Sequence, residues 1–356
     1  MVNSPHILII GAGLIGLATA RACVNRGAKI TLVERHSHTG HGAGFANSGM
    51  IHRSQAWPWV TGDLDASAQR QAAQNVAALA TSSVESLKHR MAQLNLSDIM
   101  RTTGCFKVFE TEALRDHAKS QYLDIAVQTQ DTEIFARPAL SFPGDFSGSA
   151  YEWSQAETRA LINDGVTLKT NTQITLHEKG GQVSATLDGR EIKADHIILC
   201  AGYNTNRLLA PLGLSLPIKP VRGFALDFDT TDIDLSSLPQ APIMDAASHS
   251  ALTLFDQTLR LSGTLGQQSA RPLWQRWCDI APQIMSRLND PTRVWSGFRP
   301  VSELGRPIIS QSPLKGLWVN SGHGHMGWTL SLVSGAFVRD LVLDNYQDTR
   351  FGWPPD

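Results

Sequence analysis

His6-Ile7-Leu8-Ile9-Ile10-Gly11-Ala12-Gly13-Leu14-Ile15-Gly16 is an apolar run that breaks into a glycine turn. Helix-forming residues follow from Leu17 to Asn25. A second apolar run, Lys29 to Val33, ends on the acid Glu34, 18 residues past Gly16. The pattern predicts strand, turn, helix and strand, closed by a carboxylate. Each part has a physical role with a dinucleotide. Gly11 permits the tight turn, Gly13 lets backbone approach a pyrophosphate, and Gly16 lets helix and strand pack closely. The pyrophosphate then sits on the N–H groups of Leu14, Ile15 and Gly16 at the helix N-terminus. Glu34, with Arg35 beside it, stands where a carboxylate accepts from both ribose hydroxyls. The plainer alternative is a glycine turn in an ordinary βαβ unit, with Glu34 a solvated strand end.

At 356 residues the chain suits two domains or one large one. Hydrophobic residues make up 42% and charged residues 18%, an ordinary globular balance. The net charge of −1 provides no basic field for nucleic acid or anionic lipid, so no nucleic-acid partner is expected. Cys23, Cys105, Cys200 and Cys278 are scattered, which predicts a reducing compartment and no zinc site. Cys23 and Cys200 fall in apolar patterns and read as small buried hydrophobes. The longest apolar stretch, Ile7–Ala18, is too short to span a bilayer. Met1–His6 contains no Lys or Arg, which argues against a signal peptide. The expected location is the cytoplasm. Peripheral contact with the inner face of the cell membrane stays open, since it needs only a surface patch.

Further along, His36–Gly49 reads as loop and Asp65–Leu96 as one long helix or a helix pair. Cys105–Phe109 reads as a strand, Glu112–Gln130 as a helix, and Arg137–Gly148, with Pro138 and Pro143, as loop. A short helix is expected at Glu157–Asn163, then strands at Val166–Thr170, Gln182–Leu187 and His196–Leu199, the last two joined around Asp188-Gly189. The strand at 196–199 runs into Cys200-Ala201-Gly202 and a helix start near Thr205. Val221–Phe228 and Ala251–Gly263 alternate like antiparallel strands. Leu273–Leu288 reads as a helix, and Arg293–Phe298 and Pro307–Ser310 as strands. Leu317–Asn320 leads into Ser321-Gly322-His323-Gly324-His325-Met326-Gly327 and an apolar helix, Trp328–Leu343. Three strand ends thus each run into a glycine turn and a helix. In an open parallel sheet, ligands bind outside the carboxyl ends of the strands, so these turns can converge on one large ligand. The expected fold is α/β (α+β overall). A Rossmann-like domain from 1–85, 150–218 and 293–356 is interleaved with an antiparallel-sheet domain from 86–149 and 219–292.

These turns, with the segments around them, resemble the FAD-dependent D-amino-acid dehydrogenase and oxidase superfamily, most of all the small subunit of bacterial D-amino-acid dehydrogenases. The likeness covers nearly the whole chain. It is carried by Phe45-Ala46-Asn47-Ser48-Gly49, Arg101-Thr102-Thr103-Gly104, Cys200-Ala201-Gly202-Tyr203-Asn204 and Pro220-Val221-Arg222-Gly223-Phe224. Gly297-Phe298-Arg299-Pro300 followed by Asn320-Ser321-Gly322-His323-Gly324 is the most specific pair. The resemblance implies a Rossmann-like FAD-binding domain, an interleaved substrate domain, and noncovalent FAD. It also implies oxidation of the C–N bond of a small amino acid: a D-amino acid, glycine or an imino acid. A hydride leaves Cα for flavin N5, and the imine hydrolyses to an oxo acid and ammonia. The electron acceptor is a quinone, a dye or oxygen. Two neighbouring readings stay open: a glycine or sarcosine oxidase-like enzyme, and a flavin-binding subunit of a hetero-oligomer with no turnover of its own. Gly44 stands where the family often has a hydroxyl residue, and Phe135–Trp153 is shorter than usual.

The same resemblance assigns residues. Arg299 matches the family's carboxylate-binding arginine, whose planar fork suits a bidentate grip. Arg222 is a second anchor or pairs with an acid. His52 faces the substrate pocket or solvent. Ser48, Gly49 and Met50, with Ala46 and Asn47 before them, lie along the isoalloxazine. Cys200, Ala201 and Gly202 form the second ligand-facing turn. Val166 contributes apolar contact near the adenine. Gly322, Gly324 and Gly327 let the chain approach a flat ring. His323 and Met326 share that turn, and the helix beginning at Trp328 and Thr329 points its positive end at the flavin. His323 and His325 lack a third ligand at metal spacing, so no metal is expected and both read as filling space. Arg306 reads as a solvated turn residue, and Trp57 and Trp59 as packing around Pro58.

Overall fold

The computed structural model describes residues 4–59, 62–263 and 266–354. Its centre is a six-stranded sheet in the order 308–311, 317–321, 196–199, 6–10, 29–33, 167–169. All neighbours run parallel except the edge strand Ile308–Gln311. The strand His6–Ile10 is apolar throughout because both faces are covered. Ile7 and Ile9 pack under the helices Leu14–Val24, Ala150–Asn163 and Gly327–Leu343, while Leu8 and Ile10 face a small antiparallel layer and its neighbours. A Cβ at Gly335 would lie 2.7 Å from the Ala18 carbonyl oxygen, so the first and last helices touch backbone to backbone there. Under them Glu157 is fully buried and accepts from Arg21 Nε and Arg90 Nε, both at 2.6 Å.

An eight-stranded sheet forms the second layer, in the order 293–302, 218–229, 258–263, 250–255, 243–245, 105–108, 137–142, 130–134. One face carries Leu226, Phe228, Leu252, Leu254 and Leu261, packed against Trp277 and the helices Arg271–Ile280 and Pro282–Met285. Strand alternation turns the other face, with Ala251 and Ser262, toward the parallel sheet's glycine turns. The α/β fold expected from the sequence is therefore present, with an antiparallel sheet interleaved.

Several details differ from expectation. Arg137–Phe142 is a strand, not loop. It forms a hairpin with Gln130–Ile134 across Phe135 and Ala136, both at positive φ (54° and 53°). Pro138 sits at the start of that strand, where proline is tolerated. The helix expected at 112–130 ends at Asp124, because Gln130 already belongs to that hairpin. The helix expected from Glu157 starts at Ala150, because Ser149 accepts from Glu152 N and caps it. The stretch 65–96 is a pair, Ala66–Leu79 and Ser83–Gln93. Ile174–Lys179 is an additional strand, and Asp188-Gly189 turns Gln182–Leu187 into Arg190–Ile192 rather than into 196–199. Arg293–Ser302 pairs with Ile218–Asp229 from Ile218↔Ser302 to Asp227↔Arg293. Those ten residues belong to the antiparallel sheet, whereas the sequence pattern groups 293–356 with the Rossmann-like layer. Among the described residues, no helix is long and apolar enough to cross a membrane.

Candidate active site

The first turn is built by steric necessity. Gly11 has φ +104°, and a Cβ there would lie 2.5 Å from the Cys200 carbonyl oxygen. A Cβ at Gly16 would lie 1.7 Å from Gly11 O. Gly13 is different: its φ is −79° and a Cβ would meet nothing within 4 Å. Backbone is bare there, at the start of a helix that has no side-chain cap and no acid in its first turn. A helix end of this kind calls for an anion. Leu14 fills the space that a Cβ on Gly44 would need.

Glu34 is not a solvated strand end. Its carboxylate accepts from Ala12 N at 2.9 Å and from His36 N at 3.0 Å, so it ties the second strand to the glycine turn. Arg35 reaches away to Tyr203 OH and Asn204 Oδ1. Glu34→Gln keeps the shape but turns one acceptor into a donor. Losing a charge-assisted bond costs about 1.5–3 kcal/mol. FAD is expected to dissociate at least about tenfold more readily, read by fluorescence of released flavin. Unchanged affinity would confine Glu34 to shaping the turn.

The second and third turns arrive beside the first. Cys200 N donates to Ile10 O, and burial pushes the Cys200 thiol up to about 12, so it stays a protonated hydrophobe. Ala201 leads into Gly202, which has φ +56°. Gly322 and Gly324 have φ +79° and +55°, and Gly324 N donates to Pro300 O. Met326 caps the helix Gly327–Leu343 with backbone only; no side chain or first-turn acid serves its N-terminus. Val166 is the exception. It lies in the core under the helix Ala150–Asn163, before Thr167, which pairs with Thr31. That is the amino end of its strand, so Val166 is not brought to the ligand edge.

Below these turns lies a cleft between the loop 43–52 and the open face of the antiparallel sheet. The loop supplies Ala46, Asn47, Ser48, Met50 and His52. Asn47 Oδ1 accepts from Gly49 N, and Gly49, at φ +71°, has no room for a Cβ against Phe255. Thr329 Oγ1 accepts from His52 N, which binds the loop to the last helix, and Trp328 completes the wall.

The sheet floor is made by Gly223 and Gly297, which pair directly across strands. A Cβ on Gly223 would lie 2.2 Å from Arg299 NH1, and one on Gly297 would lie 2.0 Å from the Trp295 ring. The two glycines thus let a guanidinium and an indole lie flat across the floor. Burial lowers Arg299 to about 10, still charged at neutral pH. Arg222 is not part of this arrangement. It pairs with Phe298, neighbours of opposite pleat to Gly223 and Arg299, and its guanidinium sits 5.1 Å from the Phe298 ring centroid.

Four rings line the cleft beside Arg299: His52, which takes the pocket side of its two expected positions, and Trp59, His249 and His325. Trp59 stacks on His325 at 3.8 Å and 5°, and meets His249 at 4.7 Å. His52 stands edge-on to His325 at 6.5 Å. Burial holds His52 at about 3 and His249 at about 4, and His325 well below its usual range, so all three are neutral imidazoles. His325 reaches Gln55 O at 2.7 Å, which makes it a wall rather than filler. His323 is buried at the turn with Nε2 unpartnered and is likewise held at about 3. Arg306 is not a solvated turn residue: it is half-buried, donates to the carbonyls of Pro307 and Gly352, and lines a second cavity that shares Trp59, Arg299 and His325. Among the described residues, no Asp or Glu lines either cavity. Among the described residues, no three His, Cys, Asp or Glu are grouped to hold a metal ion.

The donor set fits FAD. Two uncapped helix N-termini, the bare backbone at Gly13, and a broad cleft walled by backbone and rings match its pyrophosphate and its flat ring system.

Comparison with known proteins agrees. The D-amino acid dehydrogenase of Vibrio vulnificus strain YJ016 is 26% identical over 411 aligned positions, covering 97% of each chain. That of Xanthobacter autotrophicus is 28% identical over 95% of each. Iminodiacetate oxidase from Chelativorans sp. BNC1 has the same fold, with a TM-score of 0.82, 21% identity and 98% of each chain covered. Glycine oxidase from Geobacillus kaustophilus gives 0.80 and 22%, over 99% of this chain and 100% of that one. The family described as FAD dependent oxidoreductase matches residues 6–341, and the chain belongs to it.

Proposed function

We propose that this oxidoreductase acts on the C–N bond of a small amino acid, with Arg299 holding the substrate carboxylate. The observation that carries this is the Gly223–Gly297 floor, which keeps a guanidinium flat and desolvated inside an acid-free cleft. An arginine so placed grips carboxylate bidentately. The relatives named D-amino acid dehydrogenase support the same substrate class. FAD held at the glycine turns would supply a two-electron acceptor for the hydride leaving Cα, and the substrate imine so formed would take up water to give an oxo acid and ammonia. The chain's own residues prepare the amine. Among the described residues, no carboxylate lines the cleft to stabilise an ammonium, and Arg299 disfavours one. The amine is therefore held neutral, with its lone pair available. The reoxidant is a quinone, a dye or oxygen.

The purified protein is expected to be yellow and to release free FAD on denaturation. It is expected to reduce an artificial dye with amino acids but not with the matching amines. A flavin-loaded protein that turns over no member of an amino-acid panel would end this reading.

A further inference from the structure

Three charged residues stand in one row across neighbouring strands of the antiparallel sheet. Asp227 pairs with Arg260 on one side and with Arg293 on the other. Directly paired residues share a face. Alternation along the strand puts Asp227 on the face of Gly223 and Ala225, which floors the cleft.

The pair at the centre of the row is tight. Arg260 Nε and NH2 donate to the two carboxylate oxygens of Asp227 at 2.6 and 2.8 Å, and the Asp227 side chain is 8% exposed. A bidentate fork of this kind fixes the plane of the guanidinium. Its remaining nitrogen then has a set direction, and NH1 donates to Asn47 O at 3.2 Å.

That contact reaches the loop 43–52, which backs onto the row at every second residue. The Arg293 guanidinium carbon lies 5.8 Å from the Phe45 ring centroid, and Arg260 holds Asn47 O. Gly49 abuts the Phe255 ring, whose centroid is 5.1 Å from the Arg260 guanidinium carbon. The residues in between, Ala46, Ser48 and Met50, line the cleft with Asn47. Among the described residues, Arg260 is the one partner of the Asn47 carbonyl. The Asn47–Ser48 peptide is trans, so its N–H points opposite to the carbonyl that Arg260 holds. Ser48 N–H makes no hydrogen bond among the described residues. A backbone donor on the cleft wall is thus kept free and given a fixed direction.

We propose that Arg260, locked by Asp227, is a positioning residue for the flavin: it sets the Asn47–Ser48 peptide so that Ser48 N–H is presented to the bound isoalloxazine. This rests on the reading that residues 46–50 lie along that ring, and it is independent of which substrate is oxidised.

The test compares Arg260→Met, Arg260→Lys, Ser48→Pro and the double variant Arg260→Met/Asp227→Asn, each with flavin bound and after its removal. FAD affinity, the visible flavin spectrum, the reduction potential and the flavin-free Tm are measured. Arg260→Met leaves Asp227 with only the exposed Arg293 at 3.9 Å, so its flavin-free Tm should fall. The double variant removes that buried charge, and its Tm should recover. The flavin readouts should not recover with it. Both variants should bind FAD at least about fivefold more weakly. Both should also shift the flavin band and make the potential more negative, since a donor aimed at the ring favours the charge that reduction adds. Arg260→Lys, whose ammonium still reaches one partner, should fall between the parent and Arg260→Met. Ser48→Pro removes the N–H and leaves the clamp, and should reproduce the shifts in band and potential. A double variant whose affinity, spectrum and potential return to the parent's along with its Tm would make Arg260 a support of the sheet alone and overturn the proposal. That comparison stands even where Arg260→Met fails to fold. Shifts in Ser48→Pro but in no Arg260 variant would overturn the role of Arg260 and leave the loop at the flavin. Flavin readouts unmoved in every variant would remove the loop reading as well.

Discussion

Arg299→Ala is expected to lower kcat/KM for the best amino acid by about 30-fold to several-thousand-fold. Removing one partner of a desolvated charge pair costs on the order of 2–5 kcal/mol, at roughly 1.4 kcal/mol per decade. Arg299→Lys keeps the charge but loses the fork, so it is impaired less. Flavin content should stay near normal, because the glycine turns proposed to hold the dinucleotide lie on other strands. Amines without a carboxylate should gain relative to amino acids. Gly223→Ala provides a second route to the same result. Its Cβ would come within 2.2 Å of NH1 and push the guanidinium off the floor, with Arg299 itself unchanged. An Arg299→Ala enzyme with full flavin and unaltered kcat/KM would refute the clamp. Arg222 offers no fallback, since the pleat turns it to the other face against Phe298.

The contrast between these two arginines shows what a sequence can carry. Both sit in strand patterns flanked by apolar residues. Their faces are decided by the pairing Val221↔Arg299, a register between strands some 70 residues apart that no local pattern encodes. Val166 fails for a related reason. Its strand was legible, but which end meets the ligand depends on its register with Lys29–Val33. Most rings of the cleft were illegible for another reason. His52 reads from sequence as facing the substrate pocket or solvent, but Trp59, His249 and His325 come from three separate segments, and each alone looks like an ordinary loop or packing residue. Only the sheet and the last helix bring them to one guanidinium. The glycine turns were legible because their constraint is local and steric. Gly11 and Gly16 collide with backbone a few residues away or on the adjacent strand, and no substitution elsewhere relieves that. The antiparallel hairpin at 130–142 hid behind Pro138 and a turn made by Phe135 and Ala136 rather than glycine.

That steric logic makes the glycine turn the place where fold and cofactor separate cleanly. Gly16→Ala puts a Cβ 1.7 Å from Gly11 O and 2.9 Å from Gly11 C, both backbone atoms. Neither can yield unless the turn opens or the helix Leu14–Val24 moves away from the sheet. That helix is already clamped on its far side, where Gly335 meets the Ala18 backbone. Overpacking of this kind costs on the order of 1–3 kcal/mol or more. The variant should therefore melt lower even without cofactor, and it should purify colourless. Gly13→Ala should behave in the opposite way. Its φ of −79° suits alanine, and its Cβ meets nothing, so the flavin-free protein should keep its Tm. If the pyrophosphate crosses this backbone, the added methyl enters its space, and FAD affinity should fall by about tenfold or more, roughly the 1.4 kcal/mol of one decade. Melting curves of flavin-free samples, with FAD titrations of the same samples, distinguish the two. A Gly13→Ala protein that binds FAD as tightly as the parent would show that the pyrophosphate does not cross this backbone. A Gly16→Ala protein with an unchanged Tm would show that the turn relaxes freely, and that its glycines serve the ligand rather than the fold.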